Sequence, residues 1–281
     1  MLQRALTGVA ILAVSLLVVI FSKYLIYPIA LMLLAIIAVN EILGVMKLNK
    51  HYAMALPAYI LAGVFPLMSY FVTEQTNLQF ILIIAAAMFV YMMYLMGVCI
   101  FSNGRIAFAS ICEVFVAVAY VVVSFTSLSL LRYIDPTVGV LHVVLVFVVA
   151  WICDVFAYLV GSLIGKHKLI PKISPKKTVE GSIGGIVFSA LLCLVYGYGV
   201  DLFTDNISVN YLFLVVGGAL LSVVSQLGDL VASAIKREYG AKDYGKLFPG
   251  HGGVMDRFDS VLSISTILLI LSILVPPFTS I

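Results

Sequence analysis

The sequence predicts an all-α integral membrane protein: a polytopic bundle of about nine transmembrane helices with the N-terminus inside and the C-terminus outside (N-in/C-out). Its composition is 63% hydrophobic and 10% charged, whereas soluble domains are about 45–50% apolar and about 25% charged. Apolar runs of about 20 residues, the length of a membrane-spanning helix, recur along the chain. The basic residues are concentrated in a few of the connections between these runs. These observations exclude a water-soluble fold.

Charged residues, proline or asparagine bound each apolar run and set the expected helix ends. In lipid, every backbone N–H and C=O must be paired within its own segment. No run has the alternating polar pattern of a barrel strand. The runs therefore predict helices near residues 5–22, 25–46, 53–72, 78–100, 107–131, 138–164, 182–200, 210–236 and 258–275.

The distribution of basic residues predicts the orientation of the bundle. With these helices, all of the 16 basic residues except Lys23 and Arg132 fall on one side of the membrane. The positive-inside rule makes that side the cytoplasm. We therefore expect a multi-pass protein of the cell (inner) membrane whose active site faces the cytoplasm.

The residue types suited to chemistry are concentrated after residue 150, so we divide the chain into two parts. Residues 1–135 are expected to form about five transmembrane helices that serve as packing and scaffold. Residues 136–281 are expected to form the catalytic helices, with cytoplasmic loops at 165–181 and 237–257.

Five acidic residues lie within predicted spans: Glu41, Glu113, Asp154, Asp229 and Asp259. Ionisable groups inside a membrane are costly and by default indicate function. With the orientation above, all five lie in the cytoplasmic half of the bundle. An ion translocator would be expected to distribute polar groups across the whole thickness. The acids therefore indicate a pocket that opens on one side.

Many cations accompany these acids in the two cytoplasmic loops. The members are Lys166, Lys168, Lys172, Lys176 and Lys177 in the first loop and Lys236, Arg237, Lys242, Lys246, His251 and Arg257 in or beside the second. Carboxylates beside such a set suit a Mg²⁺ that shares its coordination with substrate phosphates. The glycine-rich turn at 249–253 also permits close approach of backbone N–H groups to an anion. For Lys47, Lys50, Lys166 and Lys168, contact with anionic lipid headgroups is the alternative interpretation.

The second loop resembles the signature of the phosphatidate cytidylyltransferases, or CDP-diacylglycerol synthases. The motif reads Ser233-Ala-Ile-Lys236-Arg237, then Lys242-Asp243, His251-Gly-Gly and Asp256-Arg257-Phe-Asp259. A second stretch, from Asp154-x-x-Ala-Tyr158 through Ser174-Pro-Lys176-Lys177-Thr178-x-Glu180-Gly181, is also similar to the family. Together the two stretches cover about residues 151 to 260. Ser162 is a departure, because many members of the family have a basic residue there.

The resemblance implies a Mg²⁺-dependent reaction of phospholipid biosynthesis. Phosphatidic acid would attack the α-phosphorus of CTP, giving CDP-diacylglycerol and pyrophosphate. The implied metal ligands are Asp229 and Asp256, with Asp154 and Asp259 nearby, and a second cation is left open. The implied catalytic residues are Asp229, Asp256, Lys236, Arg237 and His251. The implied substrate-binding residues are Lys176, Lys177, Lys242, Asp243, Arg257, Ser233, Ser174, Thr178 and Tyr158. Helix capping explains Ser174, Thr178 and Glu180 equally well.

The resemblance also implies binding partners, and three other functions can be compared with it. The partners would be CTP, phosphatidic acid and the bilayer, with a homodimer inferred by analogy and no nucleic acid. A CTP-dependent lipid-alcohol kinase would share the bundle and the CTP site but would release CDP rather than pyrophosphate. A CDP-alcohol phosphotransferase is disfavoured because its series of aspartates is absent. A secondary transporter would require repeats and broken helices near the midplane, which the sequence does not show.

Overall fold

The computed structural model describes residues 17–73 and 75–281. Within these residues, eight helices are long and apolar enough to cross a membrane. They are α1 (Ile26–Val45), α2 (Tyr52–Met68), α3 (Asn77–Phe101), α4 (Phe108–Tyr133), α5 (Gly139–Ile164), α6 (Val179–Phe203), α7 (Tyr211–Glu238) and α8 (Met255–Leu274). A 3-10 turn at Ser69–Phe71 follows α2.

The all-α membrane fold is confirmed, and each predicted helix from 25–46 onward corresponds to one observed helix. The first predicted helix, at 5–22, falls mostly outside the described residues. The N-in/C-out orientation stays a prediction, because length and composition alone do not give the side on which a helix ends.

The chain divides into two compact units. The first comprises Met1–Ile134 and Ala241–Arg257, and the second comprises Asp135–Gly240 and Phe258–Ile281. Most of the loop between α7 and α8 therefore belongs to the same unit as the N-terminal helices. The roles of scaffold and catalytic part that we assigned to the two halves stay predictions.

In the first unit, α4 is the most buried of the eight helices. Its residues Val118, Val121 and Phe125 are fully buried in the core of this unit. The phenol of Tyr27 on α1 donates a buried hydrogen bond of 3.1 Å to the backbone carbonyl of Leu128. Apolar contacts supplemented by such buried hydrogen bonds are the usual means by which membrane helices associate.

In the second unit, glycines let α5 and α6 approach backbone to backbone. A Cβ at Gly181 would lie 2.5 Å from the carbonyl oxygen of Ala157, and one at Gly185 would lie 3.1 Å from that of Cys153. Small residues at helix interfaces permit this packing in membranes. Helix α7 also packs against both α5 and α6, so the second unit has a three-helix core.

Two short antiparallel strand pairings were not predicted from the sequence. Strand β1 (Lys168–Ile170) pairs antiparallel with β2 (Ser174–Thr178), inside the loop between α5 and α6. Strand β3 (Ile207–Val209) pairs antiparallel with β4 (Phe278–Ser280). Three-residue strands and a proline at the second position of β2 give no alternating pattern that a sequence could reveal. The β1–β2 hairpin places the first basic loop against α6.

Candidate active site

A cleft of about 300 Å³ lies in the second unit, between α5, the β1–β2 hairpin, α6 and α7. Its polar lining residues are Asp154, Tyr158, Ser162, Ser174, Lys176, Lys177, Thr178, Ser182 and Gln226. Six of these were predicted as site residues from the sequence: Asp154, Tyr158, Ser174, Lys176, Lys177 and Thr178. The structure therefore brings one of the two predicted stretches together around a single cleft.

The ammonium of Lys177 on β2 forms an ion pair with Oδ2 of Asp229 on α7. The two side chains are 24% and 27% exposed, so the pair is partly shielded from solvent. The hydroxyl of Ser233, one helical turn further along α7, donates to Oδ1 of Asp229 over 3.4 Å. The structure thus gives Asp229 a lysine partner from the first predicted loop. The pair also joins the two predicted stretches at one point.

Further acids of the second unit lie close to Asp229. The carboxylate of Asp259 on α8 interacts electrostatically with Asp229, Asp154 and Lys236. A Cβ at Gly228 would lie 2.8 Å from the backbone oxygen of Asp259, so α7 and α8 are in close contact beside this group. Like charges at short range repel each other, and the neighbouring cations compensate part of that repulsion.

The start of α6 is fixed by a side-chain cap and by hydrogen bonds between Glu180 and His167. The hydroxyl of Thr178 accepts a hydrogen bond of 3.2 Å from the N–H of Gly181, which confirms the capping interpretation of Thr178. Glu180 accepts from the backbone N–H of His167 and lies 2.6 Å from Nδ1 of the same histidine. These bonds fix the strand that carries Lys176 and Lys177 to the N-terminal end of α6.

The predicted residues of the second loop from Lys242 to Arg257 lie in the first unit. Oδ2 of Asp256 accepts hydrogen bonds from the backbone N–H groups of Tyr244, at 2.7 Å, and Gly253, at 2.9 Å. The carboxylate of Glu41 accepts two more, from Val254 at 3.0 Å and Met255 at 2.9 Å. One oxygen of Asp256 therefore serves the fold of the loop, a role that the sequence did not reveal.

The glycine-rich turn has the backbone conformation expected from its sequence. Gly250 and Gly252 have φ angles of 79° and 84°, in the left-handed region that glycine adopts readily. The N–H of His251 donates to the carbonyl of Phe248 at 2.8 Å. Nδ1 of His251 is buried without a hydrogen-bond partner among residues 17–73 and 75–281.

The remaining predicted cations are open to solvent. The side chains of Lys176, Arg237, Lys242 and Arg257 are exposed, as is that of Asp243, and Lys236 is half-buried.

The family model of the cytidylyltransferase family matches residues 2–275 of the chain. The chain belongs to this family. It is 36% identical over 243 residues to a phosphatidate cytidylyltransferase of Staphylococcus epidermidis, covering 86% of this chain and 87% of that protein. It is 40% identical over 179 residues to phosphatidate cytidylyltransferases of Staphylococcus haemolyticus and Staphylococcus saprophyticus. Those two alignments span 65% of each relative's length, slightly less than two thirds.

The family match and the staphylococcal relatives confirm the resemblance predicted from the motifs at Ser233–Asp259 and Asp154–Gly181. The donor set of the protein can be tested against the cation that the resemblance implies. Among residues 17–73 and 75–281, no group of three or more His, Cys, Asp or Glu side chains is arranged to enclose a metal ion. The carboxylates around Asp229 suit instead a Mg²⁺ that takes most of its ligands from water and phosphate. The residues present fit such a shared site.

Sequence reasoning missed two residues of the cleft and the contacts of a third residue. Glu41 was named only as one of five acidic residues within predicted spans, and its contacts with the second loop were not predicted. Ser182 and Gln226 line the cleft and share a hydrogen bond between α6 and α7. Gln226 lies three residues before Asp229 within the same span. A polar side chain at that depth was the signal that could have identified it.

Proposed function

We propose that the protein transfers CMP from CTP to phosphatidic acid, giving CDP-diacylglycerol and pyrophosphate. Membership of the cytidylyltransferase family supports the use of a cytidine nucleotide. The names of the similar staphylococcal proteins support phosphatidic acid as the acceptor. The observation that carries the proposal is the position of the charged cleft beside an apolar face of α5.

Two neighbouring faces of α5 have opposite character. Asp154 and Tyr158 line the cleft. The next residue after each, Val155 and Leu159, is 51% and 43% exposed, and Leu163 continues that face with 80% exposure. Exposed apolar side chains on a membrane helix face lipid tails. A molecule with an anionic head and apolar chains matches both faces at once.

The proposed chemistry needs no covalent intermediate on the protein. An oxygen of the lipid phosphate forms a bond to the α-phosphorus of CTP, and the bond from that phosphorus to the bridging oxygen of pyrophosphate breaks. The acceptor is already an anion, so catalysis depends on alignment and on neutralisation of charge. Lys176, at the cleft, and Lys177, paired with Asp229, are the cations placed to neutralise phosphate charge.

We infer that Mg²⁺ is the cofactor and that Asp229, Asp259 and Asp154 are the residues of the second unit that would hold it. Bound to phosphate oxygens, such an ion would withdraw negative charge from the reacting phosphates. The role of Asp256 as a ligand stays a prediction. The need for a second cation stays a prediction.

The remaining proposals concern placement and assembly. We propose a multi-pass protein of the cell membrane with its cleft on the cytoplasmic side, because the basic loops collect there under the positive-inside rule. CTP is a cytoplasmic nucleotide, and this orientation gives it access. We also propose a homodimer, by analogy with other helical bundles of this size.

The test is an assay of the purified protein in detergent micelles with phosphatidic acid, radiolabelled CTP and Mg²⁺. We expect CDP-diacylglycerol and pyrophosphate in equal amounts. Glycerol 3-phosphate is the matched acceptor that has the phosphate without the acyl chains. It should react far more slowly if the apolar face of α5 contributes to binding.

Two results would overturn the proposal. Release of CDP with phosphorylation of a lipid alcohol would identify the kinase alternative. Absence of both products, under conditions in which a staphylococcal phosphatidate cytidylyltransferase is active, would exclude the transfer. Addition of EDTA tests the cofactor separately, because activity should be lost on chelation and restored by Mg²⁺.

A further inference from the structure

Glu41 is an acidic residue near the C-terminal end of the apolar helix α1, and it is only 8% exposed. Its two carboxylate oxygens accept one hydrogen bond each, from the N–H groups of Val254 and Met255. Helix α8 begins at Met255, so these donors belong to the helix start, where N–H groups have no partner within the helix. The helix dipole also favours a negative charge at this end. Burial of the carboxylate is thereby compensated.

Two glycines provide the space for this carboxylate. A Cβ at Gly245 or at Gly253 would lie 2.2 Å from Oε1 of Glu41. The loop between α7 and α8 therefore closes around the carboxylate from two points of its sequence. Any larger residue at either position would displace Glu41 or the loop.

The same turn determines where Asp256 lies. Gly253 donates its N–H to Oδ2 of Asp256, and the next two N–H groups, of Val254 and Met255, donate to Glu41. Three consecutive amides are thus held by two carboxylates. A substitution of Glu41 would remove the partners of the Val254 and Met255 amides, next to the Gly253 amide that binds Asp256. His251 and Arg257 lie on the same segment.

We propose that Glu41 is a positioning residue for the cytidylyl transfer. It fixes the backbone of residues 253–255, and through it the carboxylate of Asp256, without touching substrate. This inference rests on the proposed function for its kinetic part only. It gives residues 1–135, which we expected to serve as packing and scaffold, a role in the reaction.

The substitution Glu41→Gln separates this role from simple space filling. The glutamine amide has one acceptor oxygen, and its NH₂ group would face a backbone N–H donor. One of the two hydrogen bonds is therefore lost at nearly constant volume. Loss of a group that orients a catalytic or metal-binding residue typically costs about 10- to 100-fold in activity or metal affinity. We expect a fall of that size in kcat and a higher Mg²⁺ requirement.

The deciding measurement is hydrogen–deuterium exchange of the full-length protein, which needs no activity. In Glu41→Gln, exchange should rise in peptides that cover 253–255 and Tyr244. Tyr27→Phe is the matched control, because it removes another buried hydrogen bond of the same unit, to Leu128. It should leave both the exchange of these peptides and the Mg²⁺ requirement unchanged. If Glu41→Gln fails to fold, Glu41→Asp replaces it, because it keeps the charge but is one methylene shorter.

Unchanged exchange at 253–255 in a folded Glu41 variant would overturn the inference. So would an equal change in Tyr27→Phe, because the effect would then be a general loss of stability. If the wild-type protein transfers no CMP to phosphatidic acid, the proposed function falls. The exchange measurement would still decide whether Glu41 holds the loop.

Discussion

The ammonium of Lys177 and the carboxylate of Asp229 form an ion pair that connects strand β2 to helix α7. Lys177 lies in the β1–β2 hairpin, directly before α6, and Asp229 lies inside a predicted span. Paired charges at a half-exposed position are individually weak contributors to stability. The significance of this pair is structural: it fixes the cleft-lining cation Lys177 beside the carboxylate of Asp229.

Asp229→Asn is expected to lower kcat by at least about 100-fold, the cost typical of removing one group that stabilises charge in a transition state. The amide keeps the volume and loses the charge that Lys177 and a cation would bind. Steady-state rates with CTP and phosphatidic acid measure the effect. Lys177→Ala should also be impaired, and the double variant should lose less than the product of the two effects, because the residues act together.

Asp201→Asn is the control for this prediction. Asp201 lies at the other end of α6 and accepts a hydrogen bond of 3.0 Å from the phenol of Tyr211. The same chemical change there should leave kcat near the wild-type value. An Asp229→Asn enzyme with wild-type kcat would show that the Lys177 pair is structural only.

Gly181→Ala is expected to destabilise the second unit. The added methyl would lie 2.5 Å from the carbonyl oxygen of Ala157 and 2.9 Å from the hydroxyl of Thr178. Overpacking of this kind typically costs about 1–3 kcal/mol. Thermal unfolding in detergent should show a lower Tm. Gly199→Ala on the same helix is the control, because no atom lies within 4 Å of its added Cβ. Equal Tm values for the two variants would contradict the close packing of α5 and α6.

Hydropathy was sufficient to predict the helices, because the length of a span is set by the thickness of the bilayer. The local motif was sufficient to identify Asp229, Ser233 and Lys177 as site candidates. Their mutual contact was not predictable, because pairing between segments depends on packing rather than on local pattern. Glu41 is the clearest case: its partner Val254 lies 213 positions away, and no sequence spacing reports such a contact.

Gly252→Ala is expected to impair the second loop more than its backbone angle alone would require. Gly252 has a φ of 84°, and a Cβ there would lie 2.6 Å from Oδ2 of Asp256. Gly104→Ala has the same backbone strain, because Gly104 has a φ of 78°, but no steric clash, because nothing lies within 4 Å of the added Cβ. The strain alone costs about 1 kcal/mol. We expect Gly252→Ala to lose activity and Gly104→Ala to keep it, as measured by kcat for CDP-diacylglycerol formation.

If the two glycine variants have the same kcat and the same Tm, the bonds from Tyr244 and Gly253 to Asp256 do not fix that carboxylate. Raised exchange of the 241–257 segment in Gly252→Ala would connect the loss of activity to the loop itself. Wild-type exchange with reduced activity would indicate that the added methyl blocks a ligand instead.

Labelling of single cysteines can decide the orientation of the bundle. Lys172 lies in the β1–β2 hairpin and Asp205 lies between α6 and β3, and both side chains are exposed. The two positions flank α6, so they must lie on opposite sides of the membrane if α6 spans it. A membrane-impermeant maleimide added to intact cells should label Asp205→Cys but not Lys172→Cys. Permeabilisation should then make Lys172→Cys reactive, with labelling of the unsubstituted protein as the baseline. The reverse pattern would place the charged cleft on the outer side, away from cytoplasmic CTP, and would contradict the proposed function together with the orientation.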